Sequence, residues 1–220
     1  MTEYARTARN RVRRHPERGA YDSATIDPIV DGALLCHVGF VIEGQPFVIP
    51  TLHARDGDTI LLHGAAGSRL LLHAATGAPL CITVTHLDGL VLARSVFNHS
   101  INYRSAVLFG VGRVVDDPAE KEDALLRFTE RLVPGRWDDA REPTEKEIRA
   151  TGVVAVAIES ASAKVRSGPP KDDDDDLALP VWAGVIPVSA LFDTPIRDDN
   201  GAATPPLPEY LTRLLAARPS

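Results

Sequence analysis

The sequence predicts a mainly β domain: an antiparallel barrel or sandwich with a few flanking helices. Three observations carry this. Short apolar runs recur between residues 34 and 97, each about the length of a strand. Acidic–glycine pairs punctuate them at Glu43-Gly44, Asp56-Gly57 and Asp88-Gly89, and such pairs favour hairpins because glycine tolerates φ > 0. Hydrophobic residues make up 44% of 220, enough to fill a core.

The elements follow in order. Leu34 to Ile42 and Pro46 to His53 read as strands joined at Glu43-Gly44. Arg55-Asp56-Gly57-Asp58 turns the chain into a third strand, Thr59 to His63. A helix is expected from Ser68 to about Ala75, stopped by Thr76-Gly77-Ala78-Pro79. Pro79 to His86 and Leu90 to Phe97 read as a hairpin about Asp88-Gly89. A long strand is expected from Tyr103 to Val115, with Gly110 and Gly112 marking a bulge or barrel corner. Asp117-Pro118 opens a helix running to about Leu132, and Pro134-Gly135 ends it. Pro143-Thr144-Glu145 begins a short helix, and Gly152 to Ile158 and Leu179 to Val188 read as strands. Pro205 to Ala216 reads as a C-terminal helix. The expected divisions are a basic arm (residues 1–20), one domain (21–190) and a tail with a short helix (191–220).

Charge and composition narrow the function classes. The net charge is −6, from 24 basic and 30 acidic side chains, which argues against nucleic acid as partner. The arginines at 6, 9, 11, 13, 14 and 18 read as a solvated or partner-contacting arm. No apolar stretch is long enough to span a bilayer as a helix, and the basic N-terminus lacks the apolar core of a signal peptide. Cys36 and Cys81 sit in apolar runs, as buried reduced thiols of a cytoplasmic protein do; a disulfide stays open if their strands are neighbours. Ser167 to Asp176, with five consecutive aspartates, reads as an exposed, self-repelling loop.

Catalytic motifs are scarce. The chain holds no Gly-x-Ser-x-Gly elbow, no Gly-x-Gly-x-x-Gly and no P-loop. Six of the seven histidines fall between residues 37 and 99 without metal-ligand spacing, so no metal site is expected. His99 stands out, in the polar and aromatic segment Phe97-Asn98-His99-Ser100-Ile101-Asn102-Tyr103-Arg104-Ser105, and is the candidate substrate-facing donor. Gly64-Ala65-Ala66-Gly67-Ser68-Arg69, between an apolar strand and an apolar helix, is the candidate anion site. Backbone N–H groups, the helix start and Arg69 would all favour a phosphate there, although an ordinary turn capped by Ser68 has the same sequence. Arg104-Ser105 offers a second pair suited to the same phosphate.

These segments together resemble the pyridoxamine-phosphate-oxidase-like flavin-binding proteins. The resemblance is carried by His37-Val38-Gly39-Phe40-Val41, Gln45 through Thr51, His63 through Arg69, Leu87 through Val91, Asn102 through Ser105, Ser162 through Arg166 and Pro180 through Val185. It is closest to the flavin-nucleotide-binding branch, which also resembles nitroimidazole-resistance proteins. It implies a split β-barrel that forms a homodimer, with FMN bound at the subunit interface. On that pattern Val48, Ile49, Pro50 and Thr51 line the isoalloxazine and ribityl chain, and His63 and Gly64 continue the wall. Ser68 and Arg69 hold the phosphate, while Tyr103, Arg104, Ser105 and Trp182 complete the site. The oxidases' Arg-x-x-x-x-Lys strand pattern is replaced here by Phe47-Val48-Ile49-Pro50-Thr51-Leu52, which favours a flavin site over pyridoxamine phosphate as substrate. The implied function is flavin-dependent redox of a small molecule. The alternatives are a deazaflavin or a haem in the same fold, the latter with His37, His63 or His99 as axial ligand, or a protein that only binds the cofactor.

Overall fold

The computed structural model describes residues 2–198 and 206–216. Its strands are β1 (Gly19–Ala20), β2 (Leu35–Ile42), β3 (Gln45–Asp56), β4 (Thr59–Ala65), β5 (Pro79–Leu92), β6 (Ser100–Val114), β7 (Thr151–Arg166) and β8 (Gly184–Pro187). The helices are α1 (Ser23–Gly32), α2 (Arg69–Ala74), α3 (Pro118–Leu132), α4 (Glu145–Ala150) and α5 (Glu209–Ala216). The start of the expected C-terminal helix, at Pro205, lies outside the described residues.

All strand pairings are antiparallel. The order β7-β4-β3-β2-β5-β6, closed by a β6–β7 pairing, makes a six-stranded barrel; β1 and β8 extend it on β7 and β5. This is the split-barrel architecture expected from the sequence. The first hairpin turns on Glu43 and Gly44, both at positive φ (50° and 79°), the geometry whose twist suits antiparallel strands. Alternate residues of β2, β5 and β6 point inward, so Cys36, Val38, Phe40, Leu80, Ile82, Val84, Ala106 and Leu108 fill the barrel. α1 and α2 pack onto this core through Ile26, Ile29, Val30, Leu70, Leu71 and Ala74. A second cluster lies under α3, where Ala124 and Phe128 meet Ala54, Leu61, Val153 and Ala155.

Several expectations are corrected. Asp88-Gly89 does not turn the chain: β5 runs through it, with a register shift between Leu87 and Gly89. A Cβ at Gly89 would lie 3.0 Å from Val185 Cγ1 and 3.1 Å from the Ile186 carbonyl, so this glycine admits β8 rather than a turn. The last strand is only Gly184–Pro187, and Trp182 precedes it. β7 extends to Arg166, well past Ile158, because it serves β4 along one half and β6 along most of its length. α1 had no counterpart in the sequence reading. Asp22 caps it by accepting the Thr25 N–H, and Pro28 sits inside it. Cys36 faces the barrel interior and Cys81 the other side of the sheet, so neighbouring strands do not bring them into a disulfide.

The basic arm is docked. Asn10 is buried and donates to the Ala161 carbonyl at 2.9 Å, holding the chain against β7. The aspartate run is divided: Asp172 accepts from both the backbone N–H and the guanidinium of Arg94 at 2.7 Å, while Asp174–Asp176 form a 3-10 turn in which Asp174 and Asp175 are exposed and Asp176 is half-buried. Among the described residues, no helix is long and apolar enough to cross a membrane.

Candidate functional site

The expected site residues fall into two groups within one chain. The first gathers where β3 and β4 meet α2. Ser68 caps α2 and accepts the Leu71 N–H at 3.4 Å, which leaves the first-turn N–H groups of Arg69 and Leu70 outside the helix's own ladder. α2 has six residues, so its dipole is small and Arg69 supplies most of the positive charge. The Arg69 guanidinium lies 4.5 Å from the centroid of Phe47, next to Val48 in β3. Phe47 stacks on Phe40, and Phe40 on His73 of α2, so an aromatic ladder fixes α2 against the first hairpin.

Val48 and Pro50 face outward, opposite Gly39 and His37 of β2. Val48 is 67% exposed, and Leu35 and Val41 on the same face are also exposed. The result is an open, largely apolar strand face; Phe47, and the Arg69 guanidinium over it, lie on the core side of the same hairpin. The open face has the chemistry to bed a flat aromatic ring, and the Arg69 turn has the chemistry to hold a phosphate. Ile49 points the other way, toward the core, and Thr51 and Gly64 are half-buried.

His63 sits differently. Its ring packs on Phe128 of α3, with centroids 4.2 Å apart, and its buried Nδ1 has no partner. Burial lowers its pKa. It therefore lies under α3 rather than on the open face of β2 and β3.

The second group lies at the other end of the barrel. α2 packs beside Gly112 of β6, whereas Arg104 and Ser105 stand in the opposite half of that strand. Arg104 pairs with Asp88 at 3.0 Å, and the Ser105 hydroxyl donates to the Lys164 carbonyl at 3.3 Å. The two Arg–Ser pairs therefore do not converge within one chain. Tyr103 lies in register between Leu87 and Arg166. Trp182 is exposed just before β8. His99 follows a 3-10 turn (Val96–Asn98) and accepts the Ala93 N–H on Nδ1 at 3.3 Å. Its neutral ring then carries the proton on Nε2.

The sequence reading missed the cations that gather around His99. Arg14, Arg18, Lys164, Arg166 and Lys171 line one cavity with it. They come from the arm, from β7 and from the following loop, so no local spacing announces them.

A family model described as pyridoxamine 5'-phosphate oxidase matches residues 22–165. The flavocytochrome Anf3 from Azotobacter vinelandii is 40% identical, with a TM-score of 0.88 over 94% of this chain and 97% of that one. An FAD and haem binding protein from Mycobacterium smegmatis is 37% identical, with a TM-score of 0.85 over 90% of this chain and 97% of that one. A candidate 5-nitroimidazole antibiotic resistance protein from Bacteroides thetaiotaomicron, 24% identical with a TM-score of 0.55, covers 67% of this chain and 86% of its own and shares the fold. Comparison with curated proteins gave no match.

Proposed function

The chain belongs to the pyridoxamine 5'-phosphate oxidase family, and from that premise we propose that it is a homodimeric flavin-dependent redox protein. The observations that carry this are the open apolar face of β2 and β3 and the cationic Ser68–Arg69 turn packed on the same hairpin at Phe47, in a chain 40% identical to a flavocytochrome. When bound, the flavin, FMN or FAD, supplies the hydride or electron transfer. The chain supplies placement. Val48 and Pro50 support the ring, Arg69 neutralises the phosphate, and the N–H groups of Arg69 and Leu70 orient it.

The face is open in a single copy, so a second copy is needed to exclude water. A row of exposed residues suits that role: Ile186, Leu90 and Ile101 lie side by side in adjacent strands. Tyr103, Arg104, Ser105 and Trp182 of the partner copy are the residues that would complete the site. Free Cys36 and Cys81 suit a reducing, cytoplasmic setting.

The test is the visible spectrum of purified protein after incubation with FMN or FAD and gel filtration. Flavin bands that travel with the protein are the expected result, and their absence with both flavins overturns the reading. Oxidation of reduced nicotinamide with an acceptor panel then separates a catalyst from a carrier.

The names of the two relatives at 40% and 37% identity favour a second reading in which haem is also bound. Of the three candidate axial ligands, His37 and His99 are exposed, while His63 is committed to Phe128. A Soret band after haem addition, lost in His37→Ala or in His99→Ala, is the expected result; a band unchanged in both variants excludes these ligands.

A further inference from the structure

The cavity at the far end of β7, of about 590 Å³, is lined by Arg14, Arg18, Lys164, Arg166 and Lys171. Arg166 is only 8% exposed. Its guanidinium donates to the Asn102 side chain and to the Gly168 and Pro169 carbonyls, so its hydrogen bonds are met but its charge is not. Among the described residues no carboxylate pairs with Arg14, Lys164, Arg166 or Lys171. Glu17 is 3.8 Å from Arg18 and 3.1 Å from His15. Burial, with Arg18 adding to it, pushes the Arg166 pKa down. A buried charge held beside other cations, with no counter-ion, is costly unless an anion joins it.

The rim adds two further observations. Asn98 Nδ2 is buried without a hydrogen-bond partner, and it lines the same cavity. Phe97, also in the lining, is 90% exposed, an aromatic face with nothing against it within the chain. The Asp172–Arg94 contact ties the loop carrying Lys171 to the segment that precedes this rim, so the cations and the aromatic ring are held together.

We propose that this basin binds the diphosphate of a nucleotide, with Arg14, Arg18, Lys164, Arg166 and Lys171 around the phosphates and Phe97 against the base. Several cations match the charge of a diphosphate better than that of a single carboxylate, and an unpartnered ring at the rim matches a base. The basin shares no residue with the face of β2 and β3. It lies at the opposite end of β7 from Gly152, which pairs with Gly64 beside the Ser68 turn. The nucleotide could be the adenylate half of a flavin dinucleotide or a separate molecule; the chemistry is the same.

Calorimetric titration of the full-length protein with ADP and with inorganic pyrophosphate tests this, because neither probe carries a flavin ring. Both should bind, more weakly as salt rises. The double variant Arg14→Ala/Lys171→Ala, both exposed side chains, should weaken both probes by about tenfold or more. Phe97→Ala should weaken ADP but leave pyrophosphate unchanged. Arg149→Ala, on α4 and outside the basin, should change neither. Loss of ADP binding after FAD loading, but not after FMN loading, assigns the site to the dinucleotide; ADP binding that survives FAD loading assigns it to a separate nucleotide. Failure of both probes to bind wild type, or equal affinity in the double variant, overturns the proposal.

Discussion

Arg69 begins α2 and lays its guanidinium over Phe47, which holds a flexible side chain in one place before any ligand arrives. Arg69→Ala is expected to weaken flavin binding by about 1.5–3 kcal/mol, the range for a lost hydrogen bond to a charged group. Flavin fluorescence titration reads this, and an unchanged dissociation constant would place the phosphate elsewhere. His53 gives a second prediction. It is 2% exposed, its Nε2 donates to the Val30 carbonyl at 3.0 Å, and its Nδ1 has no partner. Burial pushes its pKa below the usual histidine value, and burial acts the same way on His63. The unfolded chain therefore takes up protons before the folded one does. The stabilising contribution is complete above about pH 6.5 and is lost as pH falls from there through the depressed folded values. Urea unfolding at pH 7.5 and pH 5.5 should give lower stability at the acid end, and equal stabilities would contradict this.

At the scale of elements, β6 and β7 slip register between Phe109 and Gly110. A Cβ at Gly110 would fall 2.0 Å from the Ala157 carbonyl oxygen, a backbone atom that cannot yield without breaking the ladder. Gly110→Ala is expected to cost at least about 3 kcal/mol. Gly67→Ala, where nothing lies within 4 Å, should stay within about 0.5 kcal/mol. Thermal unfolding compares them, and similar melting temperatures would mean the bulge relaxes. The bulge was legible in the sequence because two glycines interrupt a long apolar strand. Asp88-Gly89 was misread because the same dipeptide serves a turn or a close strand approach, and only the arrival of β8, from residues 184–187, decides between them.

For the whole molecule, the open bed on β2 and β3 and the exposed row Ile186, Leu90, Ile101 point to a second copy. Sedimentation should give about twice the 23.7 kDa chain mass. Leu90→Asp should shift it to monomer and abolish flavin retention, whereas a dimer that survives would move the interface off this row. The barrel class and most strands followed from the sequence alone, as did the capped helices at Ser68 and Asp117. These are signals of period, turn and cap, written within a few residues of where they act. Barrel closure through β6 and β7, the separation of Arg69 from Arg104, the seat of His63 under α3 and the cationic basin came only from tertiary structure. Each depends on which distant strands become neighbours, and that is settled by burying the whole core at once rather than by any local run of residues.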